Sequence, residues 1–341
     1  MKKYITVLSV LSCIAVVYLH INDCFWNFSY ENYWISANII ESIFYFAVPV
    51  FFMISGCTLI DYRNKYSTKI YFKKRINKTL IPFIIWSMLA LLYMIFIQSN
   101  TSMLDGGVVA SVRHILGLFF NAQILNIYWF FLPLFSIYLC IPALSLIPEN
   151  VRQKIFRYLL IATFIFNISI PFLFRLLKIA YNEENNLEIL MVGGYLFYAL
   201  AGYYIDQYPI RKKFRYIIYI LGILGLLVHM GGTWLASYYT GNINSTFKGY
   251  LNMPCVMYSV SIFVLFKYID TSKFIDRLHR VTKFFADSSF GVYLMHWFII
   301  DIFLRNSTVD YRNIFYRLFG GIGVFLTKLI HKIPVLERIV P

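Results

Sequence analysis

Charge is what this chain has least of. Only 14% of its 341 residues are charged, and the acidic ones are scarcest, 16 against 31 Lys and Arg. Soluble globular chains carry about 25% charged residues, and a chain this apolar and this long cannot bury its side chains in a water-soluble core. Cysteine is also sparse. Cys13, Cys57, Cys140 and Cys255 lie inside apolar runs and only Cys24 falls in an external loop. An odd, scattered set offers neither a disulfide framework nor CxxC metal-ligand spacing. There is no phosphate-binding GxxxxGK[ST], no HExxH and no GxSxG, which removes energy-driven pumps and the common serine and zinc hydrolases. Internal repeats and low-complexity tracts are missing too. Lys2 and Lys3 ahead of an apolar run resemble the start of a signal peptide, but no A-x-A-like site follows, so the run reads as an anchor.

What is present is hydrophobic length. The chain is 60% hydrophobic and 20% aromatic, with 28 Tyr and 33 Phe, which fits packed membrane helices and interfacial belts. A span needs about 20 predominantly apolar residues. On that basis there are ten candidates, 4–21, 37–60, 79–97, 126–147, 155–174, 189–206, 214–235, 250–269, 284–304 and 313–331. The expected fold class is an all-α integral membrane protein of about ten transmembrane helices. It forms one domain over 1–341, with no soluble domain between or after the spans.

The formal net charge of +15 invites a nucleic-acid reading, but the cations cluster in short loops between apolar runs. That is the positive-inside pattern. One side takes the N-terminus, the loops around 61–78, 148–157, 207–215 and 267–283, and the C-terminal tail. The other side holds Arg113, Arg175, Lys178, Lys248, Arg305, Arg312 and Arg317, seven of the 31 cations, leaving 24 on the first. Both termini are therefore expected to be cytoplasmic, in a multi-pass membrane protein. In the long outer loop 98–125, Asp105-Gly106-Gly107 signals a turn and Val108–Phe120 reads as a short re-entrant or interfacial helix.

Within the spans, polar residues stand out. The first run ends at His20. Cys13, Ser9 and Thr6, at seven, eleven and fourteen residues before it, share its helical face at about 100° per residue. Small polar stripes mark helix–helix contacts, and an ionisable residue ending one near a membrane boundary is a candidate site. Ser289, Tyr293 and His296 share a face of the 284–304 run by their spacing; a core histidine bonded to a neighbour is the plainer reading of His296. Glu41 and Asp301 read as interfacial caps, and His229 as a histidine without polar company on its face. Arg75 and Lys78, one turn apart, run into Pro82 at the head of a span, and would suit an anion such as a nucleotide phosphate.

These pieces together resemble a family. Ala15-Val16-Val17-Tyr18-Leu19-His20 is followed by Phe51-Phe52-Met53-Ile54-Ser55-Gly56, similar to an FF-x-x-SG segment. Lys74-Arg75-Ile76-Asn77-Lys78 precedes Pro82, and Tyr128-Trp129-Phe130-Phe131-Leu132 precedes Pro142. Ala201-Gly202-Tyr203-Tyr204-Ile205 and Ser289-Phe290-Gly291-Val292-Tyr293-Leu294-Met295-His296 complete the order. The chain resembles the type-3 membrane acyltransferases, polytopic bacterial enzymes that acylate cell-surface sugars.

The resemblance implies an acyl-coenzyme A donor, acetyl-CoA first among them, entering from the cytoplasm with no permanently bound cofactor. It implies a sugar hydroxyl acceptor on a surface polysaccharide or its lipid-linked precursor. His20 matches the family's essential histidine, and Arg75 and Lys78 match its basic positions at the cytoplasmic entrance. Ser55, Tyr293, His296 and Glu41 complete the candidate set. The family's arginine eleven residues before the histidine, and the aspartate three before that, are Ser9 and Thr6 here. Expected partners are membrane lipids and the sugar acceptor, without nucleic acid, and a homo-oligomer is compatible with the sequence. The alternative function is a transporter or flippase for a lipid-linked sugar or an exported polysaccharide.

Overall fold

The structure is a computed structural model, and it describes residues 2–100, 102–104, 107–179, 188–269, 285–286, 289–306, 312–314 and 317. Those residues form helices and turns, with no strand among them. Apolar chain in a bilayer must satisfy its backbone internally, which leaves the helix as the form for these runs. The helices are α1 (Lys3–Ile21), α2 (Asn32–Phe44), α3 (Ala47–Leu59), α4 (Thr68–Arg75), α5 (Ile81–Phe96), α6 (Val108–Phe120) and α7 (Phe131–Leu144). They are followed by α8 (Glu149–Thr163), α9 (Ile170–Leu176), α10 (Leu196–Gln207), α11 (Lys212–Thr240), α12 (Met253–Tyr268) and α13 (Ser289–Asn306).

Six helical stretches among the described residues are long and apolar enough to cross a membrane: Lys3–Ile21, Asn32–Asn64, Thr68–Phe96, Asn126–Leu144, Glu149–Leu176 and Lys212–Thr240. The remaining expected spans fare differently. The run at 250–269 becomes α12 and the run at 284–304 becomes α13, both shorter apolar helices over their described parts. The run at 189–206 narrows to the 12-residue α10, preceded by a short 3-10 turn at Leu190–Val192. Twelve residues rise only about 18 Å, less than the roughly 30 Å hydrocarbon core. The tenth, 313–331, lies almost wholly outside the described residues. The outer helix expected at Val108–Phe120 is present with those bounds. The basic segment 61–78 is not a loop. It is largely helical and runs through α4 into α5.

Prolines explain where the long stretches break. Pro49 has no N–H to donate to the carbonyl of Tyr45, and the helix is interrupted there, between α2 and α3. Pro82 and Pro171 each follow a wide π turn, Ile76–Leu80 and Phe164–Ser169 respectively. A proline ring clashes with the carbonyl four residues back, and a π turn moves that carbonyl aside.

The bundle is fastened where α3 crosses α10. A Cβ on Gly56 would lie 1.8 Å from the Ala199 carbonyl oxygen, and one on Gly202 would lie 2.2 Å from that of Met53. The two backbones touch, which only residues without a side chain permit. At one end of the bundle the basic segments meet. Lys2 pairs with Asp206 at 2.7 Å and Arg152 with Asp61 at 2.7 Å. Arg63 Nε donates to Ser145 Oγ at 2.8 Å, and Lys267 Nζ to the Tyr208 carbonyl at 3.2 Å. The described parts of the segments grouped by loop charge therefore share one end. The opposite end gathers Tyr30 against Tyr238, Lys248 over Phe25, and Arg175 bonded to Asn252.

Candidate active site

A cavity of about 450 Å³ opens between α1, α3, α7, α13 and the junction of α4 with α5. Four sequence candidates line it together: Ser55, Arg75, Lys78 and Tyr293. Ser9 and Ser289 line it as well. Their hydroxyls are 3.4 Å apart, and Cys13 Sγ lies 3.6 Å from the Ser289 carbonyl. The small polar stripe of α1 is thus the seam against α13, as small residues allow. Thr6, the stripe's lower end, bonds its own backbone at Lys2 instead.

Cations enter the cavity from one side only. Arg75 ends α4, and Lys78 sits in the π turn that Pro82 imposes. The Arg75 guanidinium lies 5.4 Å from the Tyr138 ring centre and 6.0 Å from that of Tyr71. Tyr71 is itself anchored to the Tyr138 carbonyl at 3.0 Å. Aromatic faces hold the guanidinium by cation–π attraction and leave its buried Nε without a protein partner. Among the described residues no carboxylate lines the cavity, and its described charged groups are the two cations. Ser55 is turned inward along its own helix, with Oγ donating to the Phe51 carbonyl at 3.0 Å.

At its other side the cavity reaches Val16, one turn below His20, and Tyr293, whose ring is 5.8 Å from that of His296. Tyr293 is fixed by its hydroxyl to the Ile127 carbonyl. His20, half-buried in the last turn of α1, and His296, fully buried in α13, have ring centres 4.9 Å apart. His296 Nδ1 lies 3.0 Å from the Val292 carbonyl. A carbonyl only accepts, so Nδ1 carries the proton and Nε2 is the bare nitrogen. That Nε2 is buried without a partner. The plainer reading of His296, a core histidine bonded to a neighbour, describes one nitrogen and leaves the other unused.

Glu41 does not join this cavity, nor is it an interfacial cap. It is 2% exposed and accepts from Asn22 Nδ2 at 3.2 Å. The chain after α1 folds back as a 3-10 turn, Asp23–Trp26, over the start of α2 and covers it. Asn22, the C-cap of α1, also donates to the Ala37 carbonyl and accepts from Arg317 Nη1 at 2.9 Å. Asp301 is likewise bonded, accepting from Tyr93 at 2.7 Å. Asn22 escaped sequence reading because a lone Asn after a helix is an ordinary cap.

His229 does have polar company. Thr233 and Ser237, four and eight residues on, are buried on the same face of α11, a spacing already present in the sequence. Beside it, Lys248 is 4% exposed with Nζ unpartnered, 4.3 Å from the Phe25 ring centre and 4.7 Å from that of Tyr45. Burial pushes the Lys248 ammonium below the usual lysine range, and the Glu41 carboxylate draws it part of the way back.

The chain belongs to the type-3 acyltransferase family, whose acyltransferase-domain model matches residues 2–331. It is thus an acyltransferase, and with its apolar helices a multi-pass membrane protein. No curated protein and no solved structure matches the chain.

Proposed function

We propose that this protein O-acylates, most simply O-acetylates, a hydroxyl of a cell-surface sugar or its lipid-linked precursor, using acyl-coenzyme A, in a bacterial cytoplasmic membrane. The observation that carries this reading is the cavity itself. Its cations lie toward the basic end of the bundle, and it closes one turn short of the His20–His296 pair. Arg75 and Lys78 would hold the donor's phosphates by charge-assisted bonds, with the thioester arm reaching inward past Ser9 and Ser289. Where the family pattern puts an arginine at Ser9, positive charge reaches the same space from α4 and the π turn.

His20 is the general base. It takes the proton from the sugar hydroxyl as that oxygen attacks the thioester carbonyl. The C–S bond breaks, and the imidazolium returns the proton to the leaving thiolate, giving ester and free thiol. Such a base contributes about 10²–10⁴-fold. His296 positions it. With Nδ1 committed to Val292, its bare Nε2 is available to an N–H of His20, which would fix the His20 tautomer and leave the other nitrogen free for the hydroxyl.

The test is a His20→Ala protein, shown by its melting curve and gel filtration to be folded and inserted. Proton NMR of the surface polysaccharide from deleted and complemented strains should show O-acetyl signals return with the wild type and not with the variant. Normal acylation by the variant would remove the base assignment. Polysaccharide retained inside the deleted strain, instead of exported bare of ester groups, would favour the exporter.

A further inference from the structure

A second concavity runs along the outside of the bundle. Its volume is about 1070 Å³; α8 and α11 form its walls, and α10 and α12 its floor. It shares no lining residue with the cavity below His20. The spans that form its walls, Glu149–Leu176 and Lys212–Thr240, are the least covered of the six, 28% and 22% buried. The groove therefore opens toward the bilayer, not toward the bundle interior.

Its chemistry is divided by depth. Ile161, Ile165, Phe214 and Leu221 present partly exposed apolar surface along it. Its charged groups stand at one end only. Arg157 comes from the third turn of α8 and Arg211 from the position just before α11, and among the described residues no carboxylate lines the groove. This is the end where the basic segments meet, the cytoplasmic side by the positive-inside rule. From Arg211 to Leu221 the helix rises about 15 Å, half of the roughly 30 Å hydrocarbon core. The groove is thus one leaflet deep, with two guanidiniums where that leaflet's head groups lie.

We propose that this groove is a binding site for one anionic phospholipid of the basic-side leaflet. The phosphate sits between Arg157 and Arg211, whose planar donors match phosphate oxygens, and an acyl chain follows the apolar walls toward Leu221. Two cations without a carboxylate favour a net-negative lipid over a zwitterionic one.

Native mass spectrometry of the full chain tests the site, after reconstitution in nanodiscs of equal phosphatidylglycerol and phosphatidylcholine with matched chains. The wild type should retain phosphatidylglycerol preferentially. The R157Q/R211Q variant should lose about thirtyfold of that preference, at about fivefold per cation. K154Q/K213Q, which removes equal charge from neighbouring exposed positions outside the groove, should keep it. Ile161→Trp fills the apolar half with both arginines intact, and should also reduce retained lipid should the double variant fail to fold. Equal retention of the two lipids by the wild type would overturn the proposal. Equal losses in both double variants would do so too, by showing a diffuse surface charge in place of a site.

Discussion

At the basic end of the bundle the buried Asp206 and the partly buried Asp61 are both paired. Asp206 bonds to Lys2 and Tyr4, and Asp61 to Arg152 and Tyr203. Toward the opposite end, Asn38 Oδ1, Ser42 Oγ, Thr233 Oγ1 and Lys248 Nζ are buried with no protein partner. A buried polar group left unmet costs about 1–3 kcal/mol, a cost that bound water removes where there is room and polar company. The contrast implies that the basic end is clamped by its side chains, whereas these groups at the other end are not held by protein partners. Arg75 and Arg215 depart from the pattern at the basic end, each with Nε unpartnered, and Arg75 stands in the cavity wall.

Four substitutions would break or sharpen that contrast. Arg152→Met strikes the clamp, leaving Asp61 and Tyr203 facing an uncharged side chain. Breaking a buried pair costs about 3–5 kcal/mol, and the partial exposure of Asp61 puts this one near the lower figure. Thermal unfolding in detergent should show a clearly lowered midpoint, and an unchanged midpoint would mean the pairs do not hold that end. His296→Gln should lower kcat by up to about a hundredfold, with the donor KM unchanged, because a misaligned base loses that much. The pH profile should shift with it; a purely structural role would move stability and leave the profile in place. Arg75→Gln should raise the donor KM about tenfold at constant kcat, the loss of one charge-assisted bond. The smallest effect belongs to Thr233→Val, under about 1 kcal/mol in the same melting assay, since the hydroxyl it removes has no protein partner. A loss equal to that of Arg152→Met would show the far end to be as tightly bonded as the near one.

Much of the fold was legible from apolar length and loop charge. The grouping of the basic segments at one end follows from charge alone, and the turn signal before Val108 marked the start of α6. Hydropathy does not register breaks, however. It could not show that Pro49 divides the helix between α2 and α3, that α10 is too short to cross by itself, or that the basic segment 61–78 continues into α5. Within the site, helical spacing did place Ser9 and Cys13 on the His20 face, and Tyr293 with His296. What spacing could not supply was partnership across the bundle. The His20–His296 contact and the approach of Arg75 to the space beside Ser9 join elements far apart in sequence, so neither leaves a local pattern. Glu41 was misread for the same reason, because its cover comes from the turn after α1. His229 was misread although Thr233 and Ser237 were in view.

The seam between α1 and α13 has a consequence for how the protein is made. Ser9 and Ser289 meet across 280 residues, so the first wall of the cavity enters the membrane long before the last. Through that interval α1 carries Ser9 and Cys13 with their eventual partner, Ser289, not yet synthesised. A ribosome stalled ahead of Ser289 would leave His20, Arg75 and Lys78 all in place around a cavity open on one side. The cavity is therefore walled on every side only once α13 has been synthesised and has packed against α1.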